Sequence, residues 1–167
     1  RFSPQEQHGC AQGGATHVIA SILAGAEVAA DSSTASGSSD FKREEQCAKT
    51  QAERIEAWAK KTGCWLDSVD ERIQAMFGKQ IAEGGEAHVY DNGSTLIKTI
   101  GLDYYIQPLL ALDRISLHNT WFPETRLTVL GFGRTTQGDF VIIVEQPYIQ
   151  GEPMTDEEIA DFAISLG

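Results

Sequence analysis

The chain has 167 residues, enough for one domain with a real core or for a smaller domain carrying an arm. Its 13 Lys and Arg stand against 24 Asp and Glu, a formal net charge of −11, which argues against a surface that neutralises the phosphates of DNA or RNA. Three cysteines, Cys10, Cys47 and Cys64, are odd in number and widely spaced, so they suggest neither a disulfide framework nor a four-ligand zinc site and are expected to be reduced thiols in a cytosol.

In chain order, residues 1–14 are polar, and the apolar run Ala15–Ala30 carries His17 and Glu27 and lacks a basic flank, so it is neither a membrane span nor a signal peptide. Val18, Ile19, Ile22, Leu23 and Val28 lie on one helical stripe within it. Residues 31–40 are mostly Ser with two Asp and cannot bury enough apolar surface to offset ordering, so residues 1–45 are read as an arm and linker. The chain opens on Arg1 and closes on a helix-like stretch, 155–167, and both ends are expected to be cuts in a larger polypeptide.

From Phe41 to Lys61, Ala48, Ala52, Ile55, Trp58 and Ala59 repeat at helical spacing, and Gly63 follows. Val69, Ile73, Met76 and Phe77 predict a second helix over 68–77, so that 46–78 forms a helical segment of two antiparallel helices joined by a short turn. After Gly78 the pattern changes to short β runs: Gln80–Ala82, Ala87–Tyr90, Thr95–Ile100, Leu127–Gly131 and Phe140–Val144. Asp91-Asn92-Gly93 and Thr136-Gln137-Gly138-Asp139 are turn signals between them. One helix, Tyr105–His118, interrupts the strands. The fold predicted is α+β, an antiparallel sheet of about five strands with one helix packed on it, preceded by helices, with the sheet domain over 79–150 and the start of a second lobe over 151–167.

Strand, strand, strand, helix, strand, strand is the order of a protein-kinase amino-terminal lobe. Residues 81–90, Ile-Ala-Glu-Gly-Gly-Glu-Ala-His-Val-Tyr, resemble the kinase glycine-rich loop, with Gly84 at the middle glycine, Ala82 and Ala87 at the outer ones and Val89 at the valine. Chemistry there needs a backbone that bends over phosphates with no Cβ in the way, which Gly84-Gly85 supplies. Lys98, in Leu96-Ile97-Lys98-Thr99, resembles the strand lysine that pairs with the α- and β-phosphates. Asp113 is the helix carboxylate that would orient it, as the glutamate does in kinases. Val144, Glu145 and Tyr148 resemble the end of the fifth strand and the hinge, where Val144 would border adenine and main-chain groups would hold its edge; Pro147, at a common donor position, has no N–H.

Taken together, I-x-x-G-G-E-x-x-V-Y, L-I-K, the segment Asp113–Thr125, Gly131-Phe132 and Glu145–Ile149 are similar to the Ser/Thr/Tyr kinase domain of polyvalent proteins, the large multi-domain polypeptides of phages and conjugative elements, over about residues 50–167. The resemblance implies an ATP- and Mg²⁺-dependent kinase acting on protein in the cytoplasm of a bacterial host, within a larger polypeptide. Nothing in the chain matches H-R-D or D-F-G, so the catalytic and metal-binding aspartates are expected in another lobe, and no metal ligand is assigned here. The alternative is a non-catalytic, pseudokinase-like interaction module that keeps the fold without nucleotide. A toxin or effector delivered with mobile DNA is a third reading that the residues neither support nor exclude. His88 and His118 are isolated, and His118, beside Asn119 at a helix end, reads as a cap or packed side chain. Thr155 reads as the cap of a helix whose first turn holds Asp156, Glu157 and Glu158.

Overall fold

The computed structural model describes residues 38–149, 151 and 155–165, so the stripe at 15–30 and most of the arm lie outside the described residues. In chain order the elements are α1 (Ser38–Thr62), β1 (Trp65–Asp67), α2 (Val69–Phe77), β2 (Ala82–Glu83), β3 (Ala87–Asp91), β4 (Thr95–Ile100), α3 (Pro108–Trp121), a 3₁₀ turn (Pro123–Thr125), β5 (Thr128–Arg134), β6 (Phe140–Pro147) and α4 (Asp156–Ser165). The strands form one six-stranded sheet in the order β1-β5-β6-β4-β3-β2. All pairings are antiparallel except that of β1 with β5. The α+β prediction holds, with a sixth strand and one parallel pairing added.

That extra strand is β1. The sequence reading puts a bare turn between two side-by-side helices here; instead Trp65, Leu66 and Asp67 pair with Phe132, Gly133 and Arg134. α1 stops at Gly63, whose φ of 77° is open to glycine, and the Cys64 N–H donates back to the Ala59 carbonyl at 2.8 Å. β1 can then lie close on β5 because two facing positions are glycine. A Cβ on Gly131 would stand 2.6 Å from the Cys64 carbonyl oxygen, and one on Gly133 would run into the Leu66 carbonyl and Val69 Cγ2. Three residues are too few to carry a periodic signal, so the strand is invisible without those glycines.

Because β1 separates them, α1 and α2 lie on opposite faces of the sheet. Ala52, Ile55 and Ala59 of α1 pack with Ala111, Leu112 and Ile115 of α3 over Ile100, Phe132, Ile142 and Val144. Val69 and Ile73 of α2 cover Tyr90, Ile97, Val141 and Ile143 on the other face. The turn between β5 and β6 is pinned to α2, since Asp70 accepts from the Thr136 N–H at 2.9 Å and from its hydroxyl at 2.5 Å. Burial alone would raise the Asp70 carboxyl, but these bonds outweigh it and hold the group below its ordinary value.

α3 begins three residues later than predicted. Ile106 has a φ of 59°, Gln107 is extended, and Pro108 takes the first helical turn, where its missing N–H is no loss. Gln51 of α1 supplies the cap, accepting from the Leu109 N–H at 3.2 Å and donating to the Gln107 side chain at 2.9 Å. Thr155 caps α4 as predicted: its hydroxyl accepts from the Glu158 N–H at 3.3 Å, and its own N–H donates to the Glu158 carboxylate at 2.7 Å. Cys47 is an exposed free thiol, whereas Cys64, buried at the head of β1, is disulfide-bonded, so the expectation of reduced thiols does not hold for Cys64.

Gly133→Ala is expected to lower stability by about 1–3 kcal/mol, the usual cost of overpacking, because backbone and the short Val69 side chain must both retreat. Thermal unfolding checks this, with Gly138→Ala as a comparison in which only the φ of 95° resists and nothing stands within 4 Å.

Candidate active site

In β4, Lys98 stands directly opposite Val89 of β3 and Val144 of β6, and Val144 in turn stands opposite Val129 of β5. Directly opposed residues share a face, so Val89, Lys98 and Val144 all point toward α1 and α3. Lys98 is half-buried. It lines a cavity of about 230 Å³ together with Glu86, Tyr105, Arg114, His118 and Gln146. Burial pushes its ammonium below the ordinary value of 10.5. The ion pairs seen among the described residues join Glu56 to Lys60 and Arg134, and none reaches Lys98.

The structure does not bring Asp113 to Lys98. Ala111, Leu112 and Ile115 are the buried side of α3, and Asp113 is exposed and lines a different recess, with Leu117, Trp121 and Phe122, which the exposed Arg114 and the half-buried His118 also border. Arg114 and His118, four apart on one side of the helix, are what α3 turns toward the lysine cavity. His118 is packed as predicted, its Nε2 within 3.0 Å of the Thr125 carbonyl and its ring 5.3 Å from that of Phe122. The carboxylate present in the cavity is Glu86, from the loop between β2 and β3, which accepts from the Tyr105 hydroxyl at 2.9 Å. Burial, and then that bond, raise the Tyr105 phenol.

Gly84 and Gly85 sit in this same loop. The Gly84 N–H donates to the Ala87 carbonyl at 3.0 Å, closing a tight two-residue hairpin turn. At Gly85 the glycine has a local reason: a Cβ would stand 2.5 Å from the Tyr104 hydroxyl. At Gly84 nothing described lies within 4 Å of where a Cβ would be, and its φ is not left-handed. The two glycines border a larger cavity of about 610 Å³, with the acids Asp70, Glu83, Asp103 and Asp139, while Glu86 and Ala87 border both cavities. The loop thus forms the wall between an acidic recess, toward α2, and a cationic one, toward α3.

The family model for the Serine/Threonine/Tyrosine Kinase found in polyvalent proteins matches residues 48–167. The chain belongs to this family. No curated protein matches the sequence. The match begins inside α1 and includes β1 and α2, so the kinase domain of this family takes in elements ahead of the glycine-bearing loop.

The residues that resemble a kinase hinge are arranged differently from one another. Val144 is fully buried beside Lys98. Glu145, one residue on, points its side chain to the opposite face, where its carboxylate accepts from the Thr95 hydroxyl at 2.8 Å and from the Asn92 amide at 3.3 Å. β6 runs on to Pro147, and the Tyr148 N–H donates to the Ser94 carbonyl at 3.1 Å. Backbone groups alternate sides along a strand, so the Pro147 carbonyl faces away from β4, past the end of β5. The exposed edge of this segment therefore offers the Pro147 carbonyl as an acceptor, and the Tyr148 donor is already engaged.

Tyr104, Tyr105, Arg114 and Glu86 escaped assignment from the sequence, although the Arg114/His118 spacing on a helix was a readable signal. Because Lys98 is a base held below its ordinary value, the native state binds fewer protons than the unfolded chain between that lowered value and 10.5. The contribution of Lys98 to stability should therefore improve as pH rises through that window. Lys98→Met should be more stable than the parent without ligand near neutral pH, and the difference should shrink as pH approaches 10, as denaturant unfolding at several pH values would show.

Proposed function

We propose that this chain forms the nucleotide-binding lobe of a protein kinase that takes ATP with Mg²⁺, Lys98 lying on the phosphates and Val89 and Val144 beside the purine. The observation that carries this is Lys98 itself: half-buried, on one rung with Val89 and Val144, lining a cavity, and paired with no acid among the described residues. A lysine desolvated without a carboxylate favours an anionic ligand that supplies the missing charge. Among the described residues no group of three His, Cys, Asp or Glu could hold a metal ion, so in this reading Mg²⁺ comes bound to the nucleotide and offsets its charge. Protein as phosphate acceptor follows from the family description alone. The acids that complete catalysis would come from residues other than those described.

Calorimetric titration of Mg-ATP into the chain tests the reading. Lys98→Ala should weaken binding about tenfold or more, roughly 1.4 kcal/mol. Absence of binding by the folded parent would overturn the proposal. The interaction-module reading would then stand, and one feature already favours it: Pro147 has no N–H and that of Tyr148 is committed to Ser94, which leaves the adenine edge without a donor.

A further inference from the structure

The kinase fold leads one to look for an acid on α3 facing the strand lysine, and this structure places cations there. Arg114 and Lys98 line the same cavity of about 230 Å³. Neither has an ion pair among the described residues. Arg114 is close enough to Tyr105 for its charge to act on that phenol, against the effect of Glu86.

We propose that Arg114 is a second phosphate-binding residue, which with Lys98 seats the polyphosphate of the nucleotide; this rests on the nucleotide reading above. Size favours phosphates over the whole nucleotide: pockets for drug-sized ligands run to about 300–1,000 Å³, so 230 Å³ accepts a polyphosphate and leaves the purine outside. Charge favours it as well. Lys98 and Arg114 contribute two positive charges against the one negative charge of Glu86, which is held by the Tyr105 hydroxyl at 2.9 Å. Geometry adds specificity, because a guanidinium presents parallel N–H donors to two phosphate oxygens, whereas the lysine acts as a point charge. Glu86 is the carboxylate on the lysine cavity, anchored by Tyr105 and not ion-paired with Lys98.

The test uses the whole chain and two probes, Mg-ATP and inorganic tripolyphosphate, by calorimetry, with Arg114→Gln, Lys98→Ala and Asp113→Asn. Arg114 and Asp113 are both exposed enough for the variants to fold, which melting curves verify. Arg114→Gln should weaken both probes about tenfold, about 1.4 kcal/mol, and Asp113→Asn should weaken neither. If Lys98→Ala weakens Mg-ATP and Arg114→Gln does not, the seat is wrong while the nucleotide reading survives. Tripolyphosphate binding without a gain for ATP would keep the seat and remove the adenine site; binding of neither probe by the parent would overturn both.

Discussion

β4 lies between β3 and β6 with both of its faces covered, and this pairing decides what every other residue of the site can do. Ile97 is buried under α2, while Ile100 is buried under α1 and α3. Side chains alternate along a strand, so a slip of one residue would send Lys98 into the α2 core among Tyr90, Val141 and Ile143. Charging a lysine there without a partner would cost several kcal/mol, in addition to the 1.5–3 kcal/mol or so lost for each large apolar side chain displaced. Register is therefore held by burial on two sides. The valines above and below Lys98 follow from the same rung.

The helices complete this placement from one side. α1 and α3 share a face of the sheet and are tied together by Gln51, which accepts from the Leu109 N–H and donates to the Gln107 side chain, just where the left-handed Ile106 and Pro108 start the helix. With its start fixed there, α3 buries Ala111, Leu112 and Ile115, and rotation about the axis is no longer free. Arg114 and His118 come to the lysine, and Asp113 goes to solvent. A helix beginning at Tyr105, as the apolar pattern suggests, carries no such constraint. The buried face Ala111, Leu112 and Ile115, rather than the helix start, thus decides that Arg114 and not Asp113 lines the lysine cavity.

Strands β3 and β4, the Asp91-Asn92-Gly93 turn and the cap at Thr155 were legible because each rests on a local rule: alternation, a positive φ at Gly93, and a hydroxyl three residues before a glutamate. Lys98 was legible for a related reason, since a lone cation in Leu-Ile-Lys-Thr-Ile stands out against apolar neighbours. β1 was not, because its existence depends on Gly131 and Gly133, some seventy residues away in the chain by rough count, and sequence pattern registers only near neighbours. The role of Glu86 was hidden in the same way: its partner Tyr105 lies across two strands. The glycine pair lies in a tight turn, and its two members differ, Gly85 standing against the Tyr104 side chain and Gly84 against nothing described.

The net charge of −11 bears on how such a site would meet a polyanion. At a distance the chain repels ATP, and five of its acids, Asp70, Glu83, Glu86, Asp103 and Asp139, gather around the larger recess on the far side of the loop. At physiological salt the repulsion decays over about 8 Å, whereas contacts inside a half-buried cavity are screened much less. Attraction is thus confined to the lysine cavity, and the acidic recess across the Glu86–Ala87 wall disfavours phosphate on the wrong face of the sheet. The two recesses share a wall but differ in sign, so a bound polyphosphate has one side of the loop open to it. In the proposed arrangement Lys98 and Arg114 would act mainly as selectors of position, and burial, which lowers the proton affinity of Lys98, is the cost that an anionic ligand would offset.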